Sequence, residues 1–374
     1  MHIALDASRI TMARRTGTEN YALQLIRALL RLPESADQRF SLYFRDVPPP
    51  DLLPDLPNVR HYILPARRAW THTRFALALW RHQPDVTFVP AHTLPFLMHG
   101  RAAVTVHDLG YRFFPRAHRL KERLYLELTT RHSARRAERI LTDSAATRRD
   151  LMAQYGVSES KIRVVHPAVE GIARASERQI ALLQSAHNLP QRYLLFLGTL
   201  QPRKNLSRLV RAFAAYLTRS GDPDLSLVLA GQVGWLFEPE RDLFAQLPSP
   251  FRARLRLLGY IADSDVAALY SGALAFVFPS LHEGFGFPVL EAMRCGTPVL
   301  CSNTSSLPEV AGEAALLVDP LDVAHITDGI EQIVRDSALR AQLIERGYAQ
   351  AAAFTWQRAA QQTFQALCEV AACP

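Results

Sequence analysis

Cysteine is scarce in this sequence, and its cysteines form no motif. The 374 residues include four, at Cys295, Cys301, Cys368 and Cys373. Zinc sites and disulfide frameworks need cysteines at short, regular spacings such as CxxC, and no such pair occurs. The sequence therefore argues against a structural zinc site and a disulfide scaffold, and it predicts a protein of a reducing compartment.

Long apolar runs are missing as well. No run approaches the roughly 20 residues that a membrane-spanning helix needs. The first ten residues, MHIALDASRI, lack the basic start and the long apolar segment of a signal peptide, and they resemble a first β-strand. We therefore expect a cytoplasmic protein.

Complete glycine-rich nucleotide motifs are also absent. The only G-x-G, Gly284-Phe285-Gly286, has no third glycine after it, so the dinucleotide motif G-x-G-x-x-G is incomplete. No GxxxxGK[ST] phosphate loop occurs either. A dehydrogenase and a P-loop enzyme are both disfavoured.

Basic residues are abundant, with a formal net charge of +8. Three readings are open: solvated helix faces, a nucleic-acid surface, or contact with an anionic membrane with Trp70, Phe75 and Trp80 as anchors. No nucleic-acid motif accompanies the charge, so we favour the membrane. The basic residues of the N-terminal half are Arg67, Arg68, Arg74, Arg81, Arg112, Arg116, Arg119, Lys121, Arg123, Arg131, Arg135, Arg136 and Arg139.

Short apolar runs alternate with amphipathic helical patterns, which is typical of parallel sheets covered by helices. The alternation occurs twice, so we predict an α/β fold with two doubly wound domains, over 1–170 and 191–354, joined by a hinge over 171–190. Such folds bind ligands at the carboxyl ends of their strands. Predicted strands are 2–6, 40–44, 59–64, 86–90, 103–107, 139–142 and 162–165, then 193–197, 226–230, 254–258, 274–278, 298–301 and 314–318.

Two strand-to-helix turns are candidate anion sites. In LGTLQPRKN a strand ends near Gly198 and a turn brings Arg203 and Lys204 to a helix start, where free amides attract anions. As isolated residues, they would be solvated turn cations. Their position after a strand favours a phosphate clamp. Thr16-Gly17-Thr18 opens the first helix and is a second candidate, for a phosphate or an acceptor group.

In VTVHDLGYRFFP, His107 and Asp108 end an apolar strand. His107 suits a general base, a donor to a sugar hydroxyl or a structural histidine equally well. Asp108 suits a cap of the following turn. Two D-x-D triplets, at 222–224 and 263–265, resemble metal motifs but lie in a polar turn and at a helix start, so we predict structural roles for both.

The stretch HEGFGFPVLEAM carries two carboxylates, Glu283 and Glu291. We predict a loop position for Glu283 and a place in the first helical turn for Glu291. Gly286 would let the backbone approach a ligand closely, and the amides near Phe287 and over Val289–Leu290 would point at an anion. In the alternative interpretation, Glu291 is an acid that the helix dipole favours in the first turn, and Glu283 is an ordinary loop acid. This alternative accounts well for Glu291 and poorly for Glu283.

The spacing E-x7-E in this stretch, together with LGTLQPRKN and VTVHDL, resembles the retaining glycosyltransferases of family 4 over essentially the whole chain. The resemblance implies the GT-B fold, with two Rossmann-like domains facing across a cleft. It also implies that the last helix, over 355–370, returns to the N-terminal domain.

The resemblance implies residue roles. Arg203 and Lys204 would neutralise the donor diphosphate. Glu291 would bind the ribose, and Glu283 the transferred sugar with help from the amides of Gly286 and Phe287. Further binding positions are His107 at the far edge of the sugar, backbone at Tyr260 and Ile261 for the base, and the turn residue Thr199, which stands where many members have Arg.

The implied reaction is front-face transfer of a hexose, without a metal, in the mannosyltransferase-type branch of bacterial surface polysaccharide synthesis. GDP-mannose is the favoured donor and a lipid-linked saccharide the favoured acceptor, at the inner face of the cytoplasmic membrane. The alternatives are a UDP-sugar transferase, an epimerase or phosphorylase of the same fold, and a non-catalytic assembly partner.

Overall fold

The structure, a computed structural model, describes residues 1–12, 17–115, 119–234 and 238–372. The chain divides into two compact units. The N-terminal unit runs from Met1 to Ala168 apart from a short segment at Phe114, and it also includes the C-terminal residues from Phe354. The C-terminal unit runs mainly from Val169 to Ala353.

The N-terminal unit is built on a parallel seven-stranded sheet in the order β3-β2-β1-β4-β5-β6-β7. Its strands are β1 His2–Asp6, β2 Arg39–Phe44, β3 Val59–Ile63, β4 Val86–Val89, β5 Arg101–Val106, β6 Arg139–Thr142 and β7 Ile162–Val164. Its helices are α1 Gly17–Leu30, α2 Ala76–His82, α3 Gly110–Phe113, α4 Leu120–Arg136, α5 Ala145–Tyr155 and, at the end of the chain, α15 Trp356–Ala372.

The C-terminal unit has a parallel six-stranded sheet in the order β10-β9-β8-β11-β12-β13. Its strands are β8 Tyr193–Leu197, β9 Ser226–Ala230, β10 Leu255–Gly259, β11 Ala275–Phe278, β12 Val299–Ser302 and β13 Ala315–Val318. Its helices are α6 Glu177–Ala186, α7 Leu206–Ser220, α8 Glu238–Gln246, α9 Ser249–Arg252, α10 Asp263–Ser271, α11 Phe287–Arg294, α12 Leu307–Ala311, α13 Val323–Arg335 and α14 Ser337–Ala352.

The central strands explain why each unit folds as a layered α/β domain. Every residue of β1, β4, β9, β11 and β12 is buried. A strand buried on both faces needs helices above and below it, which the intervening amphipathic helices supply. The predicted fold class, two doubly wound parallel domains, is confirmed.

The strand order of each sheet reverses direction once, and this locates the positions where ligands bind in such folds. The reversal falls between β1 and β4 in the N-terminal unit and between β8 and β11 in the C-terminal unit. The loops that follow these strands therefore meet at the carboxyl edge of each sheet.

Helix α15 belongs to the N-terminal unit. The ring of Trp356 lies edge-on to that of Tyr21, with centroids 5.9 Å apart. The Glu369 carboxylate pairs with Arg139, the first residue of β6, at 2.9 Å and with Arg163, within β7, at 2.7 Å. These contacts attach the last helix to the first sheet.

Two sequence expectations differ from the structure. The segment 171–190, expected to be a hinge, contains helix α6, whose Ile180 and Leu183 are buried. Trp70 and Phe75 are not surface anchors, because they are buried and stack on each other with centroids 5.1 Å apart. Of the three aromatic residues, Trp80 alone is exposed.

Among the described residues, every helix is too short or too polar to cross a membrane.

Candidate functional site

Two cations lie at the switch point of the second sheet. Strand β8 leads through Gly198 into a short 3₁₀ turn, Pro202–Lys204, which carries Arg203 and Lys204. Asn205 follows with a φ of 62° and starts α7. Its side-chain amide donates to the carbonyl of Pro279 at 3.0 Å, so the turn is attached to the loop after β11.

The structure brings these cations onto Glu283. Arg203 Nη1 lies 2.7 Å from Glu283 Oε2, and Lys204 Nζ lies 2.6 Å from Oε1. The Ser280 hydroxyl donates to the same Oε1 at 2.5 Å. Three donors from two loops therefore converge on one carboxylate at the carboxyl edge of β8 and β11, two on Oε1 and one on Oε2, which leaves Oε2 able to accept a further hydrogen bond.

The electrostatics of this cluster keep Glu283 ionised. Burial by itself would raise the pKa of the carboxyl group, but Arg203 and Lys204 outweigh burial and lower the pKa to about 2. Glu283 is therefore a carboxylate at neutral pH. It suits hydrogen bonding to sugar hydroxyls, and it does not suit proton donation.

The loop around Glu283 is held by serines from the segment after β12. The Glu283 amide donates to Ser305 Oγ at 3.0 Å, and the Ser306 hydroxyl donates to the carbonyl of Glu283 at 2.9 Å. Gly286 has a φ of +122°, and a Cβ at this position would lie 2.8 Å from Leu307 Cδ2. Glycine is needed here for both the backbone angle and the space.

Helix α11 begins at Phe287, immediately after Gly286. The Val289 amide donates to the Gly286 carbonyl at 3.0 Å, so it is engaged within the first turn of the helix. The side chains of Val289 and Leu290 are fully buried. Any contribution of these two residues to a ligand would have to come from their backbone.

Glu291 does not lie in the first helical turn. It is the fifth residue of α11, just past the first turn, because the helix begins at Phe287. The Tyr270 hydroxyl donates to Glu291 Oε2 at 2.9 Å. Burial raises the pKa of Glu291, with the Tyr270 hydrogen bond acting in the opposite direction. Since Glu291 lies past the first turn, the helix dipole does not explain its position. The two glutamates also have different partners: Tyr270 for Glu291, and Arg203 and Lys204 for Glu283.

The remaining C-terminal candidates lie near the ends of other strands. Thr199 is exposed in the turn after β8. Tyr260 and Ile261 follow the edge strand β10; the Tyr260 side chain is exposed and that of Ile261 is buried. The sheet thus places these two residues three strands away from Glu283, which follows β11.

His107 lies in the N-terminal unit, directly after β5. Its Nδ1 is 2.7 Å from Asp143 Oδ2, and its backbone amide donates to His92 Nε2 at 3.0 Å. Burial lowers the pKa of His107, but Asp143 and Asp108 more than compensate, and the net shift is upward. His107 is thus a histidine whose side chain is 12% exposed and whose protonated form is stabilised by a carboxylate.

Sequence reasoning missed Asp143, although a signal was present. Asp143 directly follows β6, just as His107 directly follows the neighbouring β5. Ser280 carries the same signal, because it lies just past β11. Tyr270 gave no such signal, because its contact with Glu291 depends on how α10 packs against α11.

Other predicted roles have mixed outcomes. Asp108 accepts the Gly110 amide at 2.8 Å, so it caps the turn as predicted. Asp222 accepts the amides of Asp224 and Leu225 at 3.0 and 3.1 Å, the structural role expected for that triplet. Gly17 is the exposed first residue of α1, and its neighbour Thr16 lies outside the described residues.

Within the described parts of the chain, no group of three or more His, Cys, Asp or Glu side chains is arranged as metal ligands. The cluster of Arg203, Lys204 and Glu283 combines two cations with one carboxylate. Such a cluster can bind a diphosphate through its cations and sugar hydroxyls through its carboxylate.

Both halves of the chain match known protein families. The family profile described as glycosyl transferases group 1 matches residues 178–350, and that of glycosyltransferase family 4 matches residues 15–170. O-antigen chain mannosyltransferase B of Escherichia coli is 36% identical over 308 residues, which cover 81% of this chain and 77% of the relative. The O-antigen chain mannosyltransferase RfbU of Salmonella typhimurium is 24% identical, covering 65% and 63%.

Solved structures agree on the fold. Sucrose-phosphate synthase from Thermosynechococcus elongatus superposes with a TM-score of 0.73 at 23% identity, covering 98% of each chain. Anabaena HepE, solved with UDP-glucose, superposes with a TM-score of 0.74 at 16% identity, covering 99% of this chain and 100% of its own. At these identities the likeness concerns the two-domain GT-B fold alone.

Proposed function

Because the chain belongs to glycosyltransferase family 4 and is a glycosyltransferase, we propose that it transfers mannose from GDP-mannose to a lipid-linked saccharide, without a metal. The relatives from Escherichia coli and Salmonella typhimurium are named for mannosyl transfer to O-antigen chains, which supports the sugar and a polysaccharide acceptor. The acceptor would be presented at the inner face of the cytoplasmic membrane, with the enzyme associated peripherally.

One observation carries the proposed donor chemistry: Arg203 and Lys204 converge on Glu283 at the sheet's switch point. A nucleotide diphosphate offers the cations an anion with more acceptor oxygens than one carboxylate provides. Glu283 then accepts hydrogen bonds from hydroxyls of the sugar attached to that diphosphate. Both halves of the sugar–phosphate junction would thus be recognised within one cluster.

In the proposed step, the bond between the anomeric carbon and the phosphate oxygen breaks, and the acceptor hydroxyl oxygen bonds to the same face of that carbon. The hydroxyl proton moves to the departing phosphate. Arg203 and Lys204 stabilise the negative charge that develops on the leaving diphosphate, and this would replace a metal. Glu283, as a cation-bound carboxylate of low pKa, would bind the sugar without acting as an acid.

The remaining roles follow the sheet edges. Glu291 would accept hydrogen bonds from the ribose, oriented by Tyr270. The backbone at Tyr260 and Ile261 would meet the base. The amides of Gly286 and Phe287 would contact the transferred sugar, and His107 would contact its far edge. The turn at Thr199 is a further proposed donor contact, and Gly17 would lie against a phosphate or an acceptor group.

The test uses the purified full chain with EDTA and a polyprenyl-diphosphate-linked saccharide. GDP-mannose, UDP-glucose and ADP-glucose are offered separately, and the anomeric configuration of the product is read by NMR. We expect α-linked mannose from GDP-mannose only. Transfer from a UDP-sugar alone would replace the proposed donor, an inverted product would overturn retention, and activity restored only by Mg²⁺ would overturn the metal-independent step.

A further inference from the structure

Helix α4 presents leucines to solvent. Leu120, Leu124 and Leu128 are 61, 57 and 58% exposed. They are spaced four residues apart, so they form one stripe along the helix. The side of α4 that packs on the sheet carries small or polar buried residues, Thr129, Thr130, Ser133 and Ala134.

This arrangement is the reverse of a normal surface helix, which turns its leucines toward the core. A contiguous exposed apolar stripe on a soluble domain marks a surface that meets a partner. Neighbouring apolar groups extend the stripe. The Tyr125 hydroxyl contacts His72 at 3.2 Å, and His72 stacks on exposed Phe96 with centroids 4.2 Å apart.

The same helix face becomes basic at its C-terminal end. At about 100° per residue, Arg131 and Arg135 point in the same direction as the leucines. They line a cavity of about 340 Å³ together with Lys161 and Tyr155. Two acids lie nearby: Glu127 is paired with Arg131 at 3.4 Å, and Glu138, which acts on Lys161, is paired with Arg136 at 3.0 Å. Within the part of the chain that the structure describes, the guanidinium of Arg135 has no ion-pair partner.

We propose that this face of α4 docks on a bilayer containing anionic lipid. The leucine stripe enters the interfacial region, and Arg131, Arg135 and Lys161 bind headgroup phosphates in the cavity. An apolar stripe that leads into a basic cavity matches a phospholipid, whose acyl chains and phosphate lie at different depths. The inference rests on the proposed function in one respect, because a lipid-linked acceptor would be presented at that surface.

The test is co-sedimentation of the full chain with phosphatidylcholine vesicles, either pure or with about one third phosphatidylglycerol. One variant, Leu124→Gln/Leu128→Gln, shortens the apolar stripe. A second, Arg131→Gln/Arg135→Gln/Lys161→Gln, removes the cavity charge. All five side chains lie on the surface of the N-terminal unit, and thermal unfolding checks that each variant folds.

Two matched control variants test whether any loss of binding comes from this face of α4 or only from a lower overall apolar surface or net charge. Leu182→Gln alters a leucine of α6 that is 62% exposed. Arg178→Gln/Arg211→Gln/Arg256→Gln removes three positive charges at exposed positions of the C-terminal unit. We expect wild type and both controls to bind the anionic vesicles, and each α4 variant to bind about tenfold more weakly or worse.

Equal binding to pure phosphatidylcholine, unchanged binding of the two α4 variants, or equal losses in the controls would overturn the proposal. Stabilisation by inorganic phosphate that the cation variant abolishes, with vesicle binding intact, would instead identify a site for soluble anions and would also overturn it. Transfer of mannose to the polyprenyl-diphosphate-linked saccharide, dispersed in detergent without vesicles, is measured in parallel. Its failure with intact vesicle binding would reject the proposed function and leave the docking face standing.

Discussion

Lys204 Nζ lies 2.6 Å from Glu283 Oε1, although the two residues are 79 positions apart in the chain. Both side chains are buried, and each neutralises a charge that would be costly to bury alone. The contact joins the loop after β8 to the loop after β11, and Arg203 adds a second cation at 2.7 Å. Substitutions in this cluster can therefore be followed by two kinds of measurement, donor binding and turnover on one side and the free energy of unfolding on the other.

Glu283→Gln should lower the turnover number by about 100-fold, because the amide replaces the charged acceptor for the sugar hydroxyls. GDP should bind at least as tightly as to wild type, since the cations lose a competing carboxylate. Steady-state kinetics and calorimetric GDP titration measure the two effects. Glu313→Gln, at an exposed position, should change neither. Wild-type turnover in Glu283→Gln would reject the sugar-binding role.

The low pKa of Glu283 also predicts an acid-dependent stability. A carboxyl whose pKa falls from 4.5 to about 2 on folding contributes stability above pH 4.5, and this is lost as the pH falls toward 2. Wild type should therefore lose free energy of unfolding more steeply than Glu283→Gln across that range, by on the order of a few kcal/mol. Urea unfolding at several pH values measures the slope; parallel slopes would contradict the assignment.

Arg203→Gln should weaken GDP binding by about tenfold or more, because a charge-assisted contact to the diphosphate is lost. Guanosine, which has no phosphate, should bind both proteins alike. Lys204 and Glu283 remain paired in this variant, so the fold should be kept. The matched control is Arg211→Gln on the exposed side of α7. Equal losses for GDP and guanosine would show that Arg203 supports the loop rather than the phosphates.

Asp143→Asn should lower the pKa of His107, because burial remains while the carboxylate that favours the imidazolium is lost. NMR titration of the histidine ring measures the shift, with exposed Asp37→Asn as control. In wild type, the raised pKa of His107 stabilises the fold fully below pH 6.5, and this is lost as pH rises through the folded pKa. The variant should therefore be more destabilised relative to wild type at acidic than at alkaline pH. An unchanged His107 titration would exclude this positioning role.

Gly286→Ala should destabilise the protein by roughly 1–3 kcal/mol, through its left-handed backbone and the clash with Leu307. Activity should fall as well, since the amides that follow Gly286 would shift. Gly171→Ala is the control, because its φ of +77° is also left-handed but a Cβ there meets nothing within 4 Å. Equal thermal shifts in the two variants would show that backbone strain alone, without the clash, accounts for the loss.

Much of the fold could be predicted from local patterns. The strand Arg139–Thr142 begins and ends where the sequence places it. The bounds of the helix that follows, Ala145–Tyr155, are encoded locally, because Ser144 caps the helix and Gly156 ends it in a left-handed conformation. The predicted place of Glu291 in the first turn of α11 was wrong, because the helix begins at Phe287, directly after the positive φ of Gly286.

It was harder to predict from the sequence which apolar residues are exposed and which are buried. Trp70 and Phe75 stand among arginines, as anchors at a membrane surface would, yet they stack inside the N-terminal unit. Leu124 and Leu128 follow a helical period that normally marks a core face, yet they face solvent. A periodic pattern shows which residues share a face, and only packing shows where that face points.

The sequence by itself determined the two α/β domains, the loops that carry the chemistry and the family resemblance, because periodicity, caps and short motifs act over a few residues. The tertiary structure decided which side chains meet: Glu283 with Lys204 and Arg203, Glu291 with Tyr270, and His107 with Asp143. For Glu283 and His107 the physical reason is the order of the strands, because residues far apart in the chain become neighbours when parallel strands lie side by side. The contact of Glu291 with Tyr270 depends instead on how α10 packs against α11. These surroundings shift the pKa of each group and so favour one charge state.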